Sequence, residues 1–343
     1  MEERFVIGDT EAKPGEIVKG SLGAVELADG SMTRIPLINV NGKHDGPVLT
    51  VVAGVHGPEL TGIAALQSAI KRVDPTSLKG ALLGIPGANP LAIRFGRYTT
   101  PIDEVNLSGP WYLPPQGEDA SITQRIARHI NAAIEKADYV IDMHANPLPS
   151  MAFVLTDLKM CSDEKTREET RKIATAFGAT VIDWPLEQAT SLRSICVKNG
   201  KPALTPELPG NIYMWEEISE IGAIGILNVM KAVDMIDAEP EKQQIDVVKG
   251  DLCYYGRLVA QRGGFMFVKK KPGQKIEKGD TVIEIINVYG DRVEEIKMPI
   301  NGYCWAFTGG VGGTHAVSEG DKLAFVFTER SEIRMSESHS RSI

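Results

Sequence analysis

The sequence has few cysteines and no closely paired cysteine motif. Its four cysteines lie far apart, at Cys161, Cys196, Cys253 and Cys304. This spacing excludes a CxxC metal or redox motif and favours reduced, buried thiols, as in cytoplasmic proteins. The first residues contain neither a basic segment nor an apolar core, so we expect no signal peptide and a cytoplasmic location.

Long apolar runs and large basic clusters are also missing. No apolar run reaches the roughly 18 residues of a membrane-spanning helix, so we expect no membrane partner. The net charge is −8, with a pI of 5.4, and the longest basic run is Lys269–Lys271, so we expect no nucleic-acid partner. No G-x-S-x-G motif is present, and the glycine-rich "GGVGGTH" at 309–315 lacks the Gly-Lys-Ser/Thr of a phosphate loop.

The composition is that of a soluble globular protein with a large and a smaller domain. Of the 343 residues, 43% are hydrophobic and 24% are charged. Changes in pattern predict a β-rich N-terminal arm over 1–45 and an α/β catalytic domain over 46–240. Short strands with Gly-Asp turns predict a small all-β domain over 245–330, and the polar end, 331–343, predicts a flexible tail.

The middle of the chain alternates apolar runs with helical patterns. The runs "PVLTVVAGV", "ALLGIPGA", "DYVIDMHA", "ATVIDW" and "PALTPEL" are too continuously apolar for a half-exposed sheet. Helical periodicity appears in "ASITQRIARHINAAIEKA" and "EISEIGAIGILNVMKAVDMI", and in a segment that opens near Ser162 and closes at Gly178. The fold class predicted is α/β, with a mixed, largely buried sheet and helices on both faces.

A short polar motif, "AGVHGPELTG" at 53–62, follows the first of these apolar runs. Ligands collect at the carboxyl ends of strands in open α/β sheets, and His56 and Glu59 lie at such an end. Gly54 and Gly57 allow the backbone to bend and to approach a bound group closely. An imidazole and a carboxylate here could supply two of the three protein ligands of a catalytic zinc ion.

A second histidine at a strand end could supply the third ligand. His144 ends the run "YVIDMHAN", 85 residues after Glu59. Asp142 precedes it by two residues on the same predicted strand face and could help to organise the site. The alternative is that both histidines are loop residues with satisfied hydrogen bonds. Two such motifs at strand ends favour the metal.

Hydrolysis at a metal site also requires a proton acceptor and a cation for the developing oxyanion. Glu207 ends the apolar run "PALTPEL", where a carboxylate is costly unless it is used; the alternative is a capping or ion-paired glutamate. Arg94 and Arg97 follow Asn89 in "NPLAIRFGRYTTPID". The alternative for the two arginines is an ordinary surface pair.

These blocks together resemble the succinylglutamate desuccinylase and aspartoacylase family of zinc amidohydrolases, which is related in fold to zinc carboxypeptidases. "AGVHGPELTG", "GANPLAIRFGRYTTPID", "VIDMHA" and "TPELPG" occur in the order and spacing of that family. The resemblance implies one zinc ion per chain and an activity on amide bonds. It assigns the roles as follows: zinc ligands His56, Glu59 and His144; catalytic base Glu207; carbonyl-polarising Arg97; and supporting polar residues Asn89 and Asp103.

The chain departs from this family at one position of the substrate loop. The family usually has an Asn-Arg pair whose arginine grips a substrate carboxylate, whereas "PIDEVNLSGPW" has Ser108 and Gly109 there. Asn106 is present and joins the expected substrate-binding residues. Either Arg94 takes over the role, or the substrate has no carboxylate at that position, with Trp111 and Tyr112 lining a less charged pocket.

The C-terminal β-rich part resembles that of the bacterial branch that includes deacetylases of diaminobutyrate derivatives. In that branch the unit resembles a biotinyl- or lipoyl-type β-sandwich, and "IKMPINGY" resembles its carrier hairpin. Lys297 precedes Met298 and is not at the attachment position. We therefore interpret the unit as a structural cap or a contact within a homo-oligomer.

The function predicted from the sequence is hydrolysis of the amide bond in an N-acylated amino acid or a related small acylated amine, by zinc-activated water. Two alternatives stay open. One is a zinc metallocarboxypeptidase that acts on a peptide. The other is a non-catalytic binding protein that kept the fold.

Overall fold

A computed structural model of the chain describes residues 4–109, 120–184, 191–309 and 314–333. Trp111, Tyr112 and most of the predicted tail lie outside the described residues. The helices are α1 Leu60–Lys71, α2 Pro90–Phe95, α3 Ile122–Lys136, α4 Glu164–Phe177, α5 Leu192–Lys198 and α6 Glu216–Ala232, with a short 3-10 helix at Leu158–Met160.

The strands fall into an N-terminal, a central and a C-terminal group. The first two groups are β1 Phe5–Ile7, β2 Thr10–Ala12, β3 Glu16–Glu26, β4 Met32–Asn41, β5 His44–Ala53, β6 Lys79–Ile85, β7 Tyr139–Asn146, β8 Phe153–Thr156, β9 Thr180–Asp183 and β10 Ala203–Pro209. The C-terminal group is β11 Leu252–Val259, β12 Gly264–Val268, β13 Lys275–Ile276, β14 Thr281–Ile286, β15 Arg292–Lys297, β16 Gly302–Phe307, β17 Ala316–Val317 and β18 Lys322–Glu329.

The main sheet has twelve strands in the order β13-β16-β18-β11-β9-β8-β10-β7-β5-β6-β4-β3. Its centre is parallel, because β10, β5 and β6 run in the direction of β7, while β8 pairs antiparallel with β10. The five apolar runs all form strands, but β8 also enters the centre and was not predicted. The apolar runs are buried here because helices cover both faces of the sheet.

Two hydrophobic clusters lie on opposite faces of this sheet. On one face α1, α4 and α6 pack through residues such as Leu66, Phe177 and Ile226. On the other face α3 and α5 pack through Ile130 and Leu192. The predicted α/β fold, with a mixed, buried sheet and helices on both faces, is therefore confirmed.

The helix boundaries follow local capping signals. Ser121 and Gln124 form a reciprocal capping box at the start of α3, which satisfies backbone donors that a helix leaves unpaired. Asp163, rather than the neighbouring Ser162, caps α4 by accepting from Thr166 N. Gly178 ends α4 in the left-handed conformation (φ 88°), as its position predicted.

The C-terminal strands form a two-layer unit that continues the main sheet. β11 pairs with β9 and with β18, and a separate sheet of order β15-β14-β12-β17 packs over them. One hydrophobic cluster fills the space between these layers, and another joins Phe153 and Ile182 of the central strands to Trp305 and Phe327. The C-terminal unit is thus attached to the catalytic part by backbone pairing and by a shared core.

All four cysteines are free and buried, in agreement with their spacing in the sequence. Within the described residues, no helix is long and apolar enough to cross a lipid bilayer.

Candidate active site

His56 and Glu59 lie in the short connection between β5 and α1. Gly54 turns the chain there with φ of 74°, a conformation that residues with a side chain rarely adopt. Gly57 is needed for a different reason: a Cβ at this position would lie 1.9 Å from the carbonyl oxygen of Ala92. Glu59 occupies the N-cap of α1, yet its side chain makes no capping hydrogen bond and turns towards the strand ends.

The Glu59 carboxylate bridges the two predicted histidine ligands. Its Oε1 lies 2.8 Å from His56 Nδ1, and its Oε2 lies 2.9 Å from His144 Nδ1. One ligand atom from each of the three residues lies within 4.8 Å of the other two, and all three residues are buried. The connection after β5 and the carboxyl end of β7 meet here because β5 and β7 are parallel neighbours in the sheet.

Both imidazoles are held from behind through their other nitrogen atom. His56 Nε2 lies 3.1 Å from Asn106 Oδ1, and His144 Nε2 lies 3.2 Å from Asp142 Oδ1. The second contact has ion-pair distance without hydrogen-bond geometry, since Asp142 Oδ1 makes no hydrogen bond. The Asn106 acceptor places the proton of His56 on Nε2 and leaves its Nδ1 as a lone-pair donor, which is how metal-binding histidines are oriented.

The electrostatics of the cluster favour positive charge at its centre. Burial raises the pKa of Glu59, but the His56 and His144 imidazoles outweigh it and lower this pKa to about 2. Burial lowers the pKa of His144, but Asp142 and Glu59 outweigh it and raise this pKa well above its usual value. Two carboxylates therefore surround a site that stabilises a cation.

The donor set suits zinc. Two imidazole nitrogens and one carboxylate oxygen are a common protein ligand set for catalytic zinc, with a further position for water or substrate. In a tetrahedral site with bonds of about 2.0–2.1 Å, neighbouring donor atoms lie about 3.3 Å apart. The bridging distances of 2.8 and 2.9 Å are close to that separation. The three side chains fit a bound zinc ion after a small opening of the cluster.

Glu207 lies opposite His144 on the neighbouring strand. The two residues are register partners in the parallel pair β10 and β7. Asn146 Nδ2 donates to Glu207 Oε2 at 2.8 Å. Burial raises the pKa of the Glu207 carboxyl to about 7, with Glu59 adding to the increase and His144 opposing it. At neutral pH this carboxyl can both accept and release a proton.

A cavity of about 290 Å³ opens in front of these residues. Its described lining combines residues of β7 and β10 with Leu155 of β8, Trp184 just after β9, Arg193 of α5 and two residues of the C-terminal unit. The lining residues are His56, Tyr98, Ser108, Asp142, His144, Asn146, Leu155, Trp184, Ser191, Arg193, Thr205, Glu207, Arg257 and Phe325.

The structure brings together the predicted ligands, Glu207 and Asp142, but not the predicted arginines. Arg97 is exposed, lies 3.4 Å from Glu104, and is not among the described residues that line the cavity. Its carbonyl oxygen accepts from Gly57 N at 2.9 Å, so its backbone supports the His56 connection. Arg94 is exposed at the end of α2 and also lies outside the described lining.

The other predicted substrate-binding residues are not among the described residues that line the cavity. Asn89 is buried and caps α2, accepting from Ala92 N and donating to Thr100 Oγ1. Asp103 accepts from Thr123 N and Oγ1 and so ties the loop to the start of α3. Asn106 faces His56 Nε2. The contacts of these residues hold the site in place, and their roles in substrate binding stay predictions.

Most residues of the lining were not singled out as functional from the sequence, and four of them make notable contacts or come from outside the predicted catalytic domain. The Tyr98 ring stacks on His56, with centroids 3.7 Å apart; its position next to Arg97 in the motif is a signal that could have indicated it. Arg193 makes a buried two-bond ion pair with Asp157, at 3.0 and 3.1 Å. Arg257 and Phe325 come from the predicted C-terminal domain, and no local pattern connects them with the site.

Comparison with known families agrees with this geometry. A model of the succinylglutamate desuccinylase/aspartoacylase catalytic domain matches residues 45–233. The chain belongs to this family. The match ends before the C-terminal unit, so it includes the cluster of His56, Glu59 and His144 and also Glu207, but not Arg257 or Phe325.

The individual relatives have low sequence identity to this chain. The chain is 23% identical over 257 residues to the N-alpha-acetyl-L-2,4-diaminobutyric acid deacetylase of Halomonas elongata, covering 73% of this chain and 74% of that protein. A succinylglutamate desuccinylase/aspartoacylase from Rhodobacter sphaeroides shares the fold with a TM-score of 0.79 and 23% identity, over 91% of this chain and 95% of that one.

The fold is also that of the ectoine utilization protein EutE (DoeB) from Ruegeria pomeroyi in its product-bound form. The TM-score is 0.80 at 20% identity, over 95% of this chain and 98% of that one. Because the coverage is almost complete in both directions, the shared fold extends beyond the catalytic part into the C-terminal strands.

Proposed function

We propose that the protein is a zinc-dependent deacylase that hydrolyses the amide bond of an N-acylated amino acid or a related small acylated amine. The observation that carries the proposal is the buried cluster of His56, Glu59 and His144 beside the Glu207 carboxyl. Membership of a family named for deacylases supports it, as does the likeness to a deacetylase of an acetylated amino acid.

In this proposal His56, Glu59 and His144 hold one zinc ion. When bound, zinc would lower the pKa of a coordinated water towards about 7 and polarise the scissile carbonyl group. Residues of the chain orient the ligands and transfer the proton. Asn106 accepts from His56 Nε2 and so keeps its Nδ1 directed into the cluster, and the Asp142 carboxylate lies at ion-pair distance from His144 Nε2.

Glu207 carries the proton between the two halves of the reaction. It takes a proton from the attacking water and passes it to the nitrogen of the leaving amine. Its raised pKa, about 7, suits both steps, because a carboxyl that titrates near the working pH exchanges protons in either direction. Asn146 fixes the carboxyl by donating to Oε2, which leaves Oε1 available for the proton.

Arg97 stays the predicted residue for polarising the carbonyl group. To act there, its side chain would have to leave Glu104, an exposed pair at 3.4 Å that costs little to break. Its neighbour Tyr98 already reaches the site, since the phenol ring lies on His56.

The test combines metal content with the release of a free amine. Protein purified without added metal is analysed by mass spectrometry, and a panel of N-acetyl and N-succinyl amino acids is assayed for the amine released. We expect about one zinc per chain, lost in His56→Ala and His144→Ala, together with hydrolysis of part of the panel. His44→Ala is the matched control, because His44 lies at the start of β5 outside the site and should retain the metal.

Two results would contradict the proposal. A folded protein that takes up no divalent metal would exclude the metal-dependent mechanism of hydrolysis. A protein that binds zinc and hydrolyses none of the acyl amines, but cleaves peptides from their carboxyl end, would be a metallocarboxypeptidase.

A further inference from the structure

The cavity wall opposite the metal cluster belongs partly to the C-terminal unit. Arg257 of β11 and Phe325 of β18 are register partners in the antiparallel pair and line the same cavity as His56 and Glu207. The Arg257 guanidinium carbon lies 4.1 Å from the centre of the Phe325 ring. A guanidinium over an aromatic face is held in place while its N–H groups at the edge stay free to donate.

Arg257 differs from the other arginine of the cavity in having no carboxylate partner. Arg193 is neutralised by Asp157 through two hydrogen bonds. Within the part of the chain that the structure describes, Arg257 makes no ion pair, and the residue is exposed. A free guanidinium in a cavity wall is a ready binding group for a carboxylate, which it can grip with two hydrogen bonds.

Two residues of the cavity lining have polar atoms without partners among the described residues. Thr205 is buried, and its hydroxyl oxygen makes no hydrogen bond to any described residue. The indole nitrogen of Trp184 is also buried and unpaired. Trp184 stacks on Tyr254 at 3.8 Å and lies 6.1 Å from Phe325, so an aromatic platform adjoins Arg257. Both residues line the cavity, so its wall contains unpaired polar groups as well as the Arg257 guanidinium.

Arg257 shares one cavity with the predicted ligands and base. His56, His144, Glu207 and Arg257 all line the same cavity of about 290 Å³. A small acylated amino acid bound in this cavity can therefore lie between Glu207 and Arg257.

Resting on the proposed function, we infer that Arg257 is the specificity residue that binds a carboxylate of the substrate. Among the described residues 101–109 of the substrate loop, Ser108 is the one that lines the cavity, and its side chain carries no charge. The anionic subsite is then built by the C-terminal unit, with Phe325 as the positioning residue of the guanidinium. The sequence alone left open whether Arg94 binds the substrate carboxylate or the substrate has none there; this inference places the contact on Arg257.

The carboxylate could belong to the amino acid or to the acyl group, and matched probes separate the two. N-acetylglycine has a carboxylate on the amine side, N-succinylglycinamide has one on the acyl side, and N-acetylglycinamide has neither. Binding of each is measured calorimetrically in zinc-loaded Glu207→Gln protein, in which the probe is not consumed. We expect one of the two carboxylate probes to bind about tenfold to a hundredfold more tightly than the neutral probe.

The same measurement is then made with Arg257→Gln added. We expect this preference to disappear, while binding of the neutral probe is unchanged. Phe325→Leu, which removes the ring beneath the guanidinium, should reduce the preference without abolishing it. Arg262→Gln is the matched control: it removes an exposed arginine of the same unit that is not among the described residues of the cavity.

The inference is overturned if neither carboxylate probe binds better than the neutral probe, or if Arg257→Gln leaves the preference intact. Failure of the proposed function would give a different result. The wild-type protein would hydrolyse none of the acyl amines, yet the Arg257-dependent preference would persist in the binding assay. Conversely, hydrolysis of charged and neutral substrates with equal efficiency would support a deacylase and exclude the specificity role.

Discussion

Glu207 and His144 are register partners on two parallel strands, so the predicted base and a predicted metal ligand are fixed by backbone pairing. Because the two residues have different predicted roles, a substitution of Glu207 alone can remove proton transfer while the metal ligands stay in place. Glu207→Gln keeps the shape of the side chain and removes its ability to carry a proton. We expect hydrolysis to fall by about 10²–10⁴-fold with zinc content unchanged, measured by amine release and mass spectrometry. Full activity of this variant would assign the proton transfer to another group.

Zinc should stabilise the folded protein. A ligand that binds only the folded state adds about 2.7 kcal/mol at a free concentration of 100 times its Kd. We therefore expect zinc to raise the Tm of the metal-free protein in a thermal scan. His144→Ala should abolish this rise, and His44→Ala should not. Equal stabilisation of the His144→Ala variant would show that zinc acts elsewhere.

The buried ion pair of Arg193 and Asp157 predicts a large effect on stability. Asp157→Asn leaves the Arg193 charge without its counterion, in a setting where both side chains are at most 5% exposed. Removing one partner of such a pair costs about 3–5 kcal/mol. The measurement is the free energy of unfolding in urea. Glu220→Gln breaks the partly exposed pair with Arg72 and should cost less than about 1 kcal/mol.

Gly57→Ala should disrupt the connection that presents His56 and Glu59. The added methyl group would overlap the carbonyl oxygen of Ala92, so the loop must move. We expect reduced zinc affinity as well as a lower Tm. Gly256→Ala is the matched control, because a Cβ there meets no atom within 4 Å. Unchanged zinc affinity in Gly57→Ala would mean that the ligands tolerate a displaced loop.

Asp103 should contribute stability that depends on pH. Burial raises its pKa, but hydrogen bonds from Thr123 outweigh burial and hold the pKa below 3.8. Because the pKa is lower in the folded state, the stabilisation is complete above about pH 4 and is lost as the pH falls through the folded-state value. Wild type should therefore exceed Asp103→Asn in stability at pH 7, and the difference should shrink below pH 4 in urea unfolding. A constant difference would exclude the ionised carboxylate as its source.

The sequence predicts those parts of the site whose signals are local. His56, Glu59, His144 and Glu207 each follow or end an apolar run, and parallel strands bring such ends to one edge of a sheet. Helix ends can be predicted for the same reason, because their signals are also local. Gly178, for example, ends α4 through its own left-handed backbone conformation.

Contacts between distant segments leave no local signal. Arg257 lies 50 residues beyond Glu207 in a strand that resembles any other exposed strand, and only the pairing of β11 with β9 brings it to the cavity. Asn106 lies 50 residues from His56 in the chain and contacts its Nε2, which no local pattern indicates, and its role in substrate binding stays a prediction. Residue type predicts the chemistry a side chain can perform; the path of the chain decides whether it faces the ligand.

The continuous sheet has a consequence for how the protein is made on the ribosome. The three ligands are complete once Glu59 and His144 have emerged and paired, but Phe325 on β18 is among the last described residues of the chain. A nascent chain stalled before β18 would contain the three predicted ligands while its pocket lacked Phe325 and β11 presented an unpaired edge. We expect newly synthesised chains to bind metal before they can select a substrate, because Arg257 and Phe325 follow the ligands in the chain.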